Sequence, residues 1–73
     1  MAEGWSRSVF SSMVSSISYD PDAQEMTIEW QKGGTSVYSG VPEDVANSAA
    51  NAPSVGQFIH TQVKPNYAHR RGD

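Results

Sequence analysis

Apolar side chains recur at every second position through the first half of this chain. Met13, Ser15, Ile17 and Tyr19 alternate with Val14, Ser16 and Ser18, the pattern of a strand with one buried face. Met26, Ile28 and Trp30 alternate more cleanly with Thr27, Glu29 and Gln31, which makes Trp30 an expected core residue. Thr35 to Ser39 give a short further strand through Val37 and Tyr38. Asp20-Pro21-Asp22-Ala23 suits a turn between the first two strands, because proline presets φ and aspartate can accept bonds from its own backbone. Lys32-Gly33-Gly34 suits the next, since glycine tolerates the positive φ of tight hairpins.

From Pro42 onward the period lengthens. Pro42 fits a first helical position, and Glu43 and Asp44 suit the positive end of the helix dipole. Val45, Ala46, Ala49 and Ala52 then form an apolar stripe of mostly small side chains, ended by Pro53. Ser54 and Gln57 have the spacing of a capping box, and Val55, Phe58, Ile59 and Val63 share one helical face before Pro65. The predicted fold is therefore α+β: a three-stranded antiparallel β-meander packed against two C-terminal helices, β-β-β-α-α. Residues 1–10, polar and serine-rich, read as a flexible N-terminal arm. Residues 11–73 read as one domain with a short basic C-terminal tail.

Composition narrows the function. Seventy-three residues allow one domain with a modest core, running from Met13 to Tyr67, and leave little stability for a strained catalytic pocket. Cysteine is absent, which removes disulfides, thiolate metal sites and cysteine nucleophiles. The segment Met1 to Arg7 lacks a basic stretch leading into an apolar run, and no apolar run exceeds two residues. A secretory leader and a membrane span are not expected, and cytoplasm is the default. Charge is uneven: Asp20, Asp22, Glu25, Glu29, Glu43 and Asp44 face only Lys32, whereas His60, Lys64, His69, Arg70 and Arg71 lie in a stretch without acids.

Catalytic chemistry finds no foothold. None of the eleven serines sits in a nucleophile turn, and His60 and His69 lack a neighbouring carboxylate to complete a metal site. No enzyme activity, cofactor or metal is expected, and His60 reads as a surface histidine. Gly33-Gly34 is too short to cradle phosphate, and Arg71-Gly72-Asp73 reads as a chance match to an adhesion tripeptide. Two binding constellations remain. Trp5, with Arg7 and Phe10, lies outside any periodic element, as an anchor for a partner's pocket would, or else folds back onto the sheet. Tyr38, Lys64, Tyr67, Arg70 and Arg71 combine aromatic rings and cations, the minimum for single-stranded nucleic acid.

The run Gly40-Val41-Pro42-Glu43 after Tyr38, the segment Ala52-Pro53-Ser54-Val55-Gly56-Gln57-Phe58, the series Lys64…Tyr67…Arg70 and the opening Ser16-Ile17-Ser18-Tyr19-Asp20 together resemble the KTSC domain over residues 11–71. That module occurs at the C-terminus of some lysyl-tRNA synthetases and alone in small bacterial and phage proteins. The resemblance implies a non-catalytic domain for which RNA binding has been suggested. Two departures stand out. The family's Tyr-x-Tyr pair is reduced to Ser36 and Tyr38, and the helix after Pro42 carries smaller apolar residues than is usual. If the pair were a base-stacking platform, the loss of half of it would weaken RNA binding.

The whole chain resembles, further, a small phage-encoded member that binds host RNA polymerase. That similarity implies a regulator in the host cytoplasm that inhibits initiation and promotes terminator read-through; with no heptad and no long apolar patch, a monomer is expected. Trp5, Arg7 and Phe10 are its expected partner contacts. The alternative is a small RNA- or single-stranded nucleic-acid-binding module, with no membrane partner in either case.

Overall fold

The computed structural model describes residues 4–9 and 12–71. Its antiparallel sheet has five strands where the sequence reading has three. They are β1 (Trp5–Ser8), β2 (Val14–Asp20), β3 (Glu25–Trp30), β4 (Thr35–Ser39) and β5 (His69–Arg71), arranged in the order β1-β2-β3-β4-β5. Between β4 and β5 run helix α1 (Glu43–Ala50) and helix α2 (Val55–Phe58), which passes into a π-helical segment, Ile59–Val63. The architecture is a small α+β fold with the helices on one face of the sheet.

Both added strands come from segments without hydrophobic alternation. Trp5–Ser8, expected within a mobile arm, pairs with β2 so that Trp5 opposes Tyr19 and Arg7 opposes Ile17. His69–Arg71, expected as a tail, pairs with β4, placing His69 opposite Tyr38 and Arg71 opposite Ser36. Edge strands of this kind are held by backbone hydrogen bonds to an existing neighbour, and so need no apolar face of their own.

The meander forms as its turn chemistry predicts. Asp20 Oδ1 accepts the backbone N–H of Asp22 at 3.1 Å and of Ala23 at 3.4 Å. Gly33 and Gly34 adopt φ of 95° and 89° in the second hairpin. The register of β2 departs from simple alternation. Val14 opposes Trp30 and Ser16 opposes Glu29, so Ser15 is the extra residue of a β-bulge. The bulge turns Val14 inward alongside Ile17 and Tyr19, and Met13, expected in the core, is half exposed.

The core lies between sheet and helices. Ile17, Met26, Ile28, Val14, Val41, Ile59 and Val63 are its largest fully buried side chains, closed by Ala46 and Ala49 from α1. Pro42 caps α1 in extended conformation, one residue before the helix starts. Ser54 makes no side-chain cap bond, so the expected capping box does not form; its carbonyl accepts Phe58 N–H at 2.9 Å. The π segment is marked by Lys64 N–H reaching back to the Ile59 carbonyl at 2.8 Å.

Tyr19 ties the sheet to the turn before α1, its hydroxyl donating to the Val41 carbonyl at 2.6 Å. Burial raises its pKa above 10.0, helped by the negative charges of Glu43, Asp44 and Asp20. The neutral phenol is thus the form the fold prefers. Above the unfolded-state value the native state holds the extra proton, so this contribution is fully present below about pH 10 and is lost as pH rises through the raised native value. Tyr19→Phe is expected to cost about 0.5–1.5 kcal/mol at pH 7 and to flatten the alkaline fall in stability. Urea unfolding of both proteins from pH 8 to 11 measures it, and parallel alkaline profiles would refute the assignment.

Candidate binding cleft and edge strand

Side-chain alternation sorts the sheet into two chemically distinct faces. The outer face carries Ser6, Ser16, Ser18, Thr27, Glu29, Glu25 and Arg70. On it Ser18 Oγ donates to Ser6 Oγ at 3.1 Å, Ser16 Oγ donates to Glu29 at 2.9 Å, and Arg70 pairs with Glu25 at 3.0 Å. The inner face, beyond the core, carries Trp5 and Arg7 at one edge and His69 and Arg71 at the other. Two separate regions of candidate chemistry result.

The first is the β1 edge. The Trp5 ring lies 5.8 Å from the Tyr19 ring, tilted by 35°, and Trp5 is partly buried. The Arg7 guanidinium sits 5.6 Å from the Trp5 ring centroid, while its Nη1 donates to Asn51 Oδ1 at 3.3 Å. Trp5 therefore folds back onto its own sheet, one of the two placements open from the sequence. Phe10, the third expected contact, lies outside the described residues, as do Gly72 and Asp73 of the terminal tripeptide.

The second region is a cleft of about 260 Å³ between the helical layer and the β3–β4–β5 end of the sheet. Met13, Trp30, Ser36, Tyr38, Gly56, Ile59, His60, Lys64 and His69 line it. Tyr38 and His69, paired across β4 and β5, stack with centroids 5.3 Å apart and planes 30° from parallel. Burial raises the Tyr38 pKa by disfavouring the charged phenolate. Trp30 is only partly buried and not the core residue its alternation implies; its Nε1–H donates to Ser36 Oγ at 3.0 Å. The β-bulge explains part of this, because it leaves Met13 above Trp30 at the cleft mouth. Met13 also lies along α2, where a Cβ on Gly56 would stand 2.9 Å from its sulfur.

The expected nucleic-acid set is thus divided. Tyr38 and Lys64 meet in the cleft, Tyr67 packs against the core, and Arg70 lies on the opposite face in an ion pair with Glu25. Arg71 shares the inner face with Tyr38 by register. His69 and Ser36 join the cleft although the sequence reading gives neither a binding role. The exposed His60 sits at the cleft's helical wall. No group of three or more metal-ligating side chains occurs among the described residues.

A small antiparallel sheet covered on one face by short helices defines the class of domain. Residues 10–67 match the model of the KTSC domain, and the chain belongs to that family. Its fold superposes on the crystal structure of a KTSC domain protein from Yersinia pestis with a TM-score of 0.86 at 33% identity, covering 94% of this chain and 97% of that one. Among curated relatives, a lysine–tRNA ligase of Nostoc is 32% identical over 60 residues, which cover 82% of this chain and only 11% of the ligase. A protein of Tsukamurella paurometabola is 34% identical over 59 residues, covering 81% of this chain and 88% of its own length. Among the described residues, no helix is long and apolar enough to cross a membrane.

Proposed function

We propose that this chain is a non-catalytic regulator that docks on bacterial RNA polymerase, restraining initiation and favouring passage through terminators. The observation that carries the docking half of this reading is the open edge of β1, where the exposed Arg7 lies beside the partly buried ring of Trp5. Tryptophan and arginine are the residue types that dominate binding energy at protein interfaces. Strand β1 also presents an edge that faces no other strand among the described residues, and an extended partner segment can add there. Polymerase as the partner rests on the resemblance read from the sequence alone. Such a protein acts by binding one state of the enzyme more tightly than another.

The test is a pull-down from nuclease-treated bacterial lysate with wild type, Trp5→Ala/Phe10→Ala and Arg7→Glu. Wild type is expected to retain polymerase subunits. Both variants should retain at least about tenfold less, equal to about 1.4 kcal/mol. Because Trp5 packs on Tyr19, the exposed Arg7 keeps the result separable from a folding defect. Polymerase capture unchanged in both variants, or absent from wild type, would overturn the reading.

A second reading, a single-stranded nucleic-acid-binding module, is favoured by one specific observation: Lys64, His60 and His69 converge with Trp30 and Tyr38 on one cleft. Kinship with a ligase that acts on tRNA supports it as well. It requires binding that weakens steeply with salt, which a docking edge does not.

A further inference from the structure

The cleft and its surroundings carry a charge pattern opposite to that of the chain. The sequence has eight Asp and Glu against five Lys and Arg, a formal charge of −3. None of the acids among the described residues lines the cleft, whereas Lys64, His60 and His69 all do. A second compartment of about 340 Å³ adjoins it, lined by Ser12, Met13, Trp30, Lys32 and Gly33, again with a base and, among the described residues, no acid. Met13 and Trp30 belong to both linings and so mark the boundary between the two.

The walls are as selective as the charges. Trp30 has committed its N–H to Ser36, so what it offers a ligand is the apolar, electron-rich ring. His69 is held flat against Tyr38 by the strand register, which fixes the plane of a second ring at the mouth. Planar rings beside an ammonium and two imidazoles match a ligand with an aromatic ring and an anionic group. A volume of about 260 Å³ falls just below the roughly 300–1,000 Å³ typical of small-molecule sites. The volume sets a single nucleotide as the upper limit of what the cleft alone holds.

We infer that this cleft binds a nucleotide, its base against Trp30 and His69 and its phosphate toward Lys64 and His60. The compartment at Lys32 receives the neighbouring phosphate or base when the nucleotide is part of a strand. The inference rests on the nucleic-acid reading of the cleft and narrows it to a site one or two nucleotides long. The same chemistry is offered by a free nucleotide and by a residue within single-stranded RNA, so both are tested.

The experiment is an NMR titration of the full chain, with the Trp30 indole N–H as reporter. The ligands are a nucleoside monophosphate, the matching nucleoside, inorganic phosphate, and a ten-nucleotide single-stranded RNA. The proteins are wild type, Lys64→Gln and His69→Ala, the last removing the exposed ring stacked on Tyr38. Lys64 is exposed, so its variant keeps the fold. Saturable shifts at the Trp30 indole are expected with the monophosphate or the RNA, weakened at least about fivefold by Lys64→Gln and by His69→Ala. Shifts with the monophosphate point to a free nucleotide as sufficient, and shifts with RNA alone point to the strand; either supports the site. RNA binding that neither variant alters would overturn the cleft while leaving the nucleic-acid reading standing. Silence with every ligand would overturn both, and equal binding of inorganic phosphate and monophosphate would overturn the base contact.

Discussion

Ile28→Ala is expected to lower unfolding stability by about 2–5 kcal/mol, the largest effect of any single substitution considered. Ile28 is fully buried at the centre of the sheet, opposite Ile17 on β2 and Ser36 on β4. Removing its outer carbons takes apolar contact from the sheet and leaves a void that strands held by ladders on both sides cannot close. The loss is large against the total, because a domain of 73 residues is stabilised by only roughly 4–11 kcal/mol. Each 1 kcal/mol corresponds to about 4–8 °C in a domain of this size, so the variant should melt at least about 8 °C lower or be unfolded at 25 °C. Thermal and urea unfolding measure it, with Ile28→Val as the graded control at about 0.5–1.5 kcal/mol. A loss below 1 kcal/mol for the alanine variant would mean that the centre of the core lies elsewhere.

Ala46→Leu tests the opposite limit of the same packing. Ala46 and Ala49 are fully buried, and α1 packs against β2 and α2. Leucine and alanine differ little in helix propensity, so the substitution probes space alone. It is expected to destabilise by about 1–3 kcal/mol, because added methylenes in a filled core force side chains off their rotamers or push the backbone away. Ser48→Leu, on the exposed side of the same helix, should stay within about 0.5 kcal/mol of wild type. If Ala46→Leu is neutral or stabilising, α1 does not lie as closely on the sheet as its alanines imply.

Those two residues also show how legible the candidate site was. Ile28 announces its burial, since a strand has only two faces and its neighbours Thr27 and Glu29 fix which one is wet. The small stripe of α1 announces close approach in the same way. The β-bulge at Ser15 carries no such announcement, since one added residue reverses every facing before it, and Met13 and Val14 exchanged places. Trp30 followed its strand's alternation but lies where the helical layer ends, so facing inward did not make it buried. The cleft was half visible: Tyr38 and Lys64 were candidates, while His69 and Ser36 gained their places only by strand pairing. Tyr67 and Arg70, chosen for residue type, proved to face the core and the far side of the sheet.

The sequence by itself determined the central hairpins, the two helices and the apolar face joining them, because periodicity and turn chemistry are local and are written in consecutive residues. It also determined the kinship with KTSC domains, through short motifs in a fixed order. Only the tertiary structure decided that the sheet has five strands, because β1 and β5 are edge strands held by backbone bonds to β2 and β4, and backbone pairing leaves no side-chain signature. The tertiary structure likewise decided which bases share a cleft. Lys64 leaves a helix and His69 enters a strand, and the fold brings both to one end of a sheet.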